Sequence, residues 1–219
     1  MGEMIQLTAS DGHQLSAYRA EPDGAPKAGI VILQEIFGIT THIQTVADQY
    51  AEHGYLVIAP AMFDRIRAGV TLDYAEIEQA RGLMMQLNLD DAAHDMAAAA
   101  DAARTAGKVA VIGYCWGGAM ADLAACQINV NAAVAYYGRM IVDWLDLRPT
   151  CPVMYHFGET DPLIPAETVE QIRASRPDGV FHVYPGAGHG FNCKERADFH
   201  AESATLALQR TLHFLDENL

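Results

Sequence analysis

The chain has 219 residues, and 51% of them are hydrophobic, which is enough to bury the core of one domain of ordinary size. Asp and Glu number 28 against 14 Lys and Arg, so the formal net charge at pH 7 is -14. A surface this acidic repels nucleic acid and anionic membranes, and the expected partner is therefore a small molecule.

The sequence carries no pattern typical of export or of a membrane span. Residues 1 to 6 lack the positive region and apolar run of a secretory signal, and no stretch of about eighteen consecutive apolar residues occurs. The four cysteines lie far apart, with no C-x-x-C pair. These features favour a reducing cytoplasm, and we expect a monomer or a small homo-oligomer. The cysteines are Cys115, Cys126, Cys151 and Cys193.

The first part of the chain predicts a hairpin followed by a β-α-β unit. Met4 to Arg19 holds two strand-like pieces around an Asp-Gly turn, which is typical of an antiparallel hairpin at a sheet edge. Gly29 to Leu33 is almost entirely β-branched or Leu and predicts a strand buried on both faces. Helix signals from Thr41 to His53 and a second apolar strand from Tyr55 to Ala59 complete the unit.

Helices and strands continue to alternate in the rest of the chain, without a repeat or linker. This order predicts a single domain over residues 1–219, with a mostly parallel central sheet, helices on both faces and ligands at the carboxyl ends of the strands. The predicted helices cover 74–87, 90–106, a segment after residue 115, 165–175 and 196–219. The predicted strands cover 108–112, 132–136, 152–157 and 180–184.

The pattern Gly113-x-Cys115-x-Gly117 lies between an apolar strand and a helix rich in Ala and Gly, and it predicts a nucleophile elbow. A sharp strand-to-helix turn needs residues without Cβ around the nucleophile. The positive end of the following helix favours a thiolate and an adjacent oxyanion. The alternative is an ordinary buried cysteine. We expect Cys115 to be the nucleophile.

Position selects His189 from nine histidines as the partner of the thiol. It lies in a glycine-rich loop between a predicted strand and the last helix, where an imidazole can project over the sheet edge. The alternative is a solvated loop histidine. Seven of the others fall in strand or helix patterns and are expected to be packing or surface residues. None has the spacing of a metal site such as H-E-x-x-H, so no metal ion or other cofactor is expected.

The acid of the site is expected between the nucleophile and the histidine in chain order. Asp161 fits, because it lies in the loop that follows a predicted strand. Glu159 is a close competitor, and Asp161 has the alternative role of an Asx-turn before Pro162.

Two backbone N–H groups are needed to stabilise the oxyanion. Trp116, next to the nucleophile, and Ile36, in the loop after the buried strand, are the candidates for this oxyanion hole. Glu35 precedes Ile36 at the strand end, and the residues alone leave open whether it acts chemically or only as a loop carboxylate.

Several short segments together resemble the dienelactone hydrolase family (carboxymethylenebutenolidases), which belongs to the α/β-hydrolase fold. They are Gln34 to Gly38, Gly113 to Gly118, Tyr136 to Gly138, Gly158 with Asp161, and Gly188 to Phe191. The resemblance implies that Cys115 attacks an ester or lactone carbonyl and forms an acyl-thioester, while His189 with Asp161 handles the proton. It also implies that Glu35 holds the resting thiol and takes its proton when substrate arrives.

The resemblance further implies that an arginine in the loop after the Ala-Pro strand end binds a substrate carboxylate. Arg65 occupies this place, with Arg67 as a rival. The sequence departs from the family in the loop after His189, where Gly190 replaces a serine and Cys193 and Lys194 fall near the place of an arginine. The alternative function is a non-catalytic or redox-active small-molecule-binding protein on the same fold.

Two states of the resting thiol are conceivable. A partner imidazolium and a helix N-terminus would maintain a thiolate, whereas a carboxylate beside the sulfur would disfavour it by like-charge repulsion. With Glu35 as that carboxylate, we expect a mostly neutral thiol until substrate binds.

Overall fold

The computed structural model describes residues 2–219, and its eight strands form a mostly parallel sheet in the order β1-β2-β4-β3-β5-β6-β7-β8. The α/β prediction with an N-terminal antiparallel hairpin is confirmed. The strands are β1 (Glu3–Thr8), β2 (Gln14–Ala20), β3 (Gly29–Leu33), β4 (Leu56–Pro60), β5 (Val109–Tyr114), β6 (Ala132–Tyr136), β7 (Val153–Gly158) and β8 (Val180–Tyr184). The helices are α1 (Thr41–Glu52), α2 (Ile77–Met84), α3 (Leu89–Ala103), α4 (Trp116–Gln127), α5 (Ala166–Ser175) and α6 (Ala201–Asn218).

The chain divides into two compact units, the first ending at Val111 and the second beginning at Ile112. The division falls inside β5, so one strand contributes to both units. That the chain is a single domain stays a prediction.

In the first unit, β1 pairs with β2 and β2 with β4 in antiparallel fashion, while β3 and β4 run parallel. All five residues of β3 are buried, as their apolar character predicts. Helices α1 and α3 contact β4. The side chain of Thr40 accepts a hydrogen bond from the N–H of Ile43 and so caps the start of α1, directly after the loop that contains Glu35.

In the second unit, β6, β7 and β8 are parallel, and α4 and α6 pack on β6. Parallel strands place their carboxyl ends at one edge of the sheet, so the loops after β6, β7 and β8 emerge together. The loop after β7 contains Asp161 and the loop after β8 contains His189.

A buried ion pair joins α4 to the end of α5. Nε and Nη2 of Arg176 donate to the two carboxylate oxygens of Asp122, each at 3.0 Å. Trp144 donates its indole N–H to the same carboxylate at 3.0 Å, and Tyr155 of β7 donates its hydroxyl at 2.6 Å. Asp122 is 0% and Arg176 3% exposed. Direct hydrogen bonds therefore replace the water that would otherwise solvate these two charges.

The structure corrects several predicted bounds. The last helix begins at Ala201 and not at Arg196, and the ring of His200 accepts the N–H of Ser203 as its cap. The helix predicted from Tyr74 begins at Ile77, which leaves Tyr74 in a loop. A short 3-10 helix, Arg139–Trp144, follows β6 and was not predicted from the sequence. Within residues 2–219, no helix combines the length and the apolar character that crossing a membrane requires.

We predict that Asp122→Asn lowers the free energy of unfolding by about 3–5 kcal/mol, because it leaves the Arg176 guanidinium buried without a counter-charge. The matched control is Glu170→Gln, which removes a carboxylate from an exposed pair with Arg173 and should cost less than about 1 kcal/mol. Urea unfolding at pH 7 measures both. Equal losses in the two variants would contradict a special role for the buried pair.

Candidate active site

Cys115 lies at the turn between β5 and α4 with φ 57° and ψ -118°, a left-handed backbone that non-glycine residues rarely adopt. A Cβ at Gly113 would lie 1.7 Å from the carbonyl oxygen of Gly117, and one at Gly118 would lie 2.2 Å from that of Tyr136. Only glycine fits at these two positions, because side chains there would collide with backbone. The turn presents a half-buried Cys115 at the N-terminus of α4, as a nucleophile elbow requires.

The structure brings together three predicted residues of the second unit, Cys115, His189 and Asp161. Nε2 of His189 lies 3.2 Å from Sγ of Cys115, and Nδ1 of the same ring lies 2.7 Å from Oδ2 of Asp161. Asp161 is 3% and His189 6% exposed. A thiol, an imidazole and a carboxylate thus form one hydrogen-bonded chain, in the order in which a nucleophile, its base and an orienting acid are arranged in known triads.

Direct contacts fix the loops after β7 and β8 against each other. A Cβ at Gly158 would lie 2.4 Å from the carbonyl oxygen of Ala187, so the two loops approach as closely as backbone allows. Thr160 donates both its N–H and its hydroxyl to that carbonyl, at 2.9 and 3.0 Å. The competitor Glu159 accepts the N–H of Gly186 at 2.9 Å, and so the structure gives it a loop contact in place of a contact with His189.

Asp161 makes two kinds of contact. Its Oδ1 accepts the N–H of Leu163 at 2.8 Å, which is the Asx-turn that the sequence offered as an alternative, while Oδ2 contacts His189. The Asx-turn is therefore present and also fixes the carboxylate that contacts the imidazole, while the role of Asp161 as the acid of the site stays a prediction.

His189 is held in its protonated form. Burial on its own lowers the pKa of His189, but hydrogen bonds to Asp161 and Cys115, together with their negative charges, raise that pKa from 6.5 to about 10. With the sulfur charged, the ring therefore carries both protons at neutral pH. The raised pKa belongs to the ion pair of imidazolium and thiolate, the state that is reached once the thiol proton has left.

Tyr137 contacts the imidazole and was not singled out as a site residue from the sequence. Its ring meets that of His189 edge-on, with centroids 5.2 Å apart, and packs likewise against Phe191. Its φ of 40° is the second left-handed non-glycine conformation among the described residues, and its N–H donates to the carbonyl of His156 at 2.8 Å. The only signal in the sequence was the Tyr-Tyr-Gly segment.

Glu35 and Ile36 belong to the first unit. Glu35 is 0% exposed, and Tyr74 donates its hydroxyl to Oε2 at 3.2 Å. A ring nitrogen of His42, in the first turn of α1, lies within 4.8 Å of a carboxylate oxygen of Glu35. The sequence assigned His42 to packing or surface and Tyr74 to a helix, so neither was expected beside this carboxylate.

Arg65 already has carboxylate partners for all three of its side-chain nitrogens. Nε and Nη2 donate to Asp95 at 2.8 and 2.9 Å, and Nη1 lies 2.8 Å from Asp11. Asp95 is 0% exposed, so this cluster ties the β1–β2 turn to α3. These contacts give no support to the prediction that Arg65 binds a substrate carboxylate. The alternative residue, Arg67, is exposed.

Burial disfavours the charged forms of two other cysteines and one histidine in the second unit. Burial and the nearby Asp122 carboxylate raise the pKa of Cys126 to about 12 and that of Cys151 to about 11. His156 is fully buried between Tyr184 and Thr211, and burial lowers its pKa well below the usual value. Cys115 and His189 are thus set apart from these groups by their surroundings.

Residues 15–219 match the model of the dienelactone hydrolase family. The chain is 33% identical to the carboxymethylenebutenolidase of Pseudomonas putida, over 97% of this chain and 95% of the relative. A solved structure from Klebsiella pneumoniae, classed with the dienelactone hydrolases, is 30% identical with a TM-score of 0.80, covering 96% of this chain and 98% of the other. A dienelactone hydrolase-like promiscuous phosphotriesterase from metagenomic libraries, 21% identical with a TM-score of 0.77 and covering 99% and 98%, shares the fold.

We predict that the His189 ring titrates near pH 10 and that Asp161→Asn lowers this pKa by about 1–3 units, because the carboxylate stabilises the imidazolium. Nitrogen NMR of labelled histidine measures the titration. The matched control is Glu159→Gln in the same loop, which should leave it unchanged.

The same shift has a consequence for stability. Since the folded pKa lies above the unfolded value of 6.5, the stabilisation from His189 is complete below about pH 6.5 and is lost as pH rises toward 10. The free energy of unfolding of the wild type relative to Asp161→Asn should therefore decrease over this range. A constant difference would contradict the raised pKa.

Proposed function

Because this chain belongs to the dienelactone hydrolase family, whose members are ester and lactone hydrolases of the α/β class, we propose that it cleaves a small ester or lactone through a Cys115-His189-Asp161 triad. The observation that carries the proposal is the continuous chain of contacts from Oδ2 of Asp161 through His189 to Sγ of Cys115, at 2.7 and 3.2 Å. The left-handed turn at Cys115 supports it, since a structural cysteine has no need of this strain.

In the proposed reaction, the Cys115 thiolate attacks the carbonyl carbon, and the carbonyl oxygen becomes an oxyanion. We assign the N–H of Trp116 and that of Ile36 to its stabilisation. The intermediate collapses to an acyl-thioester, and the His189 imidazolium donates a proton to the departing alkoxide oxygen. The neutral ring then takes a proton from water, whose oxygen attacks the thioester. Release of the carboxylic acid leaves the thiolate, which regains its proton from the acceptor that took it in the first step.

Glu35 is the proposed acceptor of the thiol proton. The raised pKa of His189, part of which comes from the negative charge of Cys115, stabilises the ion pair of imidazolium and thiolate once the thiol proton has left. The burial of Glu35 supports the assignment, since a carboxylate removed from water interacts more strongly with a neighbouring group than an exposed one does. In this scheme the thiol is neutral at rest and is ionised only when substrate arrives, which limits oxidation of the sulfur.

Arg65 is not part of the substrate site that we propose. Its guanidinium is already bound by Asp95 and Asp11, and removing it from a buried carboxylate would leave Asp95 without a counter-charge. The proposed substrate is therefore defined by its ester or lactone carbonyl, with no required carboxylate.

We predict that Cys115→Ala lowers turnover of activated esters and lactones by several orders of magnitude, because the covalent nucleophile is lost. Cys126→Ala is the matched control and should keep the activity, since burial already holds that thiol protonated. Steady-state rates on a panel of such substrates measure both. Residual turnover in Cys115→Ala equal to wild type would refute the nucleophile, and no turnover by the wild type on any substrate would favour a binding protein.

Glu35→Gln is expected to have opposite effects on two rates. Iodoacetamide should alkylate resting Cys115 faster at pH 7, because the repelling carboxylate is gone, while ester turnover should fall by about 100-fold for want of the proton acceptor. The control Glu52→Gln removes an exposed glutamate at the end of α1 and should change neither rate. Fast alkylation of the wild type, with both rates unchanged in Glu35→Gln, would mean a permanent thiolate and only a structural role for Glu35.

A further inference from the structure

We infer that Tyr74 is a positioning residue whose hydroxyl holds the Glu35 carboxylate ionised and correctly oriented for the proton transfer. The inference rests on the proposed role of Glu35 and adds a group that is 39 residues away along the chain. Its basis is the way in which residues 70–74 lie on the loop that contains Glu35.

Backbone contacts fix the segment 70–74 against this loop. Gly38 and Thr71 form an antiparallel bridge, and the N–H of Leu72 donates to the carbonyl of Phe37 at 2.9 Å. Gly38 has φ +88°, and a Cβ there would lie 2.0 Å from the carbonyl oxygen of Val70. Only glycine permits this approach, so the close packing of the two segments is built into the sequence.

Ring packing then sets the direction of the Tyr74 side chain. Its ring meets that of Phe37 edge-on, with centroids 4.8 Å apart and planes at 66°. Phe37 is 4% exposed, whereas Tyr74 is only half-buried, so the tyrosine lies between this loop and solvent. From this position its hydroxyl donates to Oε2 of Glu35 at 3.2 Å.

The hydroxyl offsets the cost of burying a charge. A carboxylate that is 0% exposed tends to take up a proton, which would make it useless as an acceptor. A hydrogen bond to the charged form opposes this, and it also restricts the rotation of the carboxylate. Within the first unit, His42 of α1 is another titratable group near Glu35, with a ring nitrogen within 4.8 Å of a carboxylate oxygen.

The test is Tyr74→Phe, which keeps the ring on Phe37 and removes only the hydroxyl. We expect kcat on an activated ester at pH 7 to fall by about 10-fold or more, with KM within about twofold, because a hydrogen bond to a charged group is lost. The matched control is Tyr18→Phe, which removes another tyrosine hydroxyl from a carboxylate of the same unit, that of Asp48 at 2.9 Å, and should leave kcat unchanged.

Comparison with Glu35→Gln separates this inference from the proposed function. If Glu35→Gln retains full turnover, the role of Glu35 is wrong. If Glu35→Gln is impaired but Tyr74→Phe has normal kcat, the inference about Tyr74 is overturned. Tyr74→Phe should also cause no further loss in a Glu35→Gln background, and an additional loss there equal to that in the wild type would overturn the inference as well.

An infrared measurement gives a readout that does not depend on activity. The difference spectrum between the wild type and Glu35→Gln, with labelled glutamate, should contain an ionised carboxylate band at pH 7. The corresponding difference in the Tyr74→Phe background should gain a protonated carboxyl band. An unchanged ionised band would show that the hydroxyl does not hold the charge.

Discussion

The buried pair of Asp122 and Arg176 fixes the elements that carry Cys115 and Asp161. Asp122 lies seven residues after Cys115, about two turns along α4, so an anchor on this carboxylate also fixes the N-terminus of the helix. Tyr155 binds the same carboxylate from β7, the strand that ends just before Asp161. The buried Asp122 carboxylate therefore connects α4, which follows Cys115, to β7, which precedes Asp161. Its tight coordination also explains why such a costly group is tolerated in the interior.

The geometry of the site is set mainly by backbone packing. Gly113, Gly118 and Gly158 each lie where a Cβ would collide with a carbonyl oxygen, and these contacts bring the three site loops within reach of one another. Electrostatics then assigns the roles. Hydrogen bonds to Asp161 and Cys115, with their charges, raise the pKa of the imidazole that contacts the sulfur, so the ring stabilises a thiolate beside it. In the mechanism that we propose, removal of the thiol proton is assigned to a second carboxylate, Glu35.

How much of this was predictable depended on whether the signal was local in sequence. Cys115, His189 and Asp161 followed from short glycine-rich patterns after strands, because the sheet topology gathers such loops. The contacts of Arg65 could not be predicted in this way. Its partners Asp11 and Asp95 lie 54 and 30 residues away, and nothing in the pattern around Arg65 indicates them. The contact of Tyr74 with Glu35 was missed for the same reason.

The elbow restricts the backbone at position 115 but places no comparable restriction on which atom the side chain carries. A serine would fit the same left-handed turn, because its side chain is no larger than that of cysteine. Its hydroxyl, however, gives up a proton far less readily than a thiol and needs a neutral imidazole as base. Part of the rise in the pKa of His189 comes from the contact with Cys115, so a serine at this position would also bring that pKa down toward the range in which the ring is neutral. The charges of the ring and of the side chain at position 115 are therefore set together, and the shape of the turn decides neither.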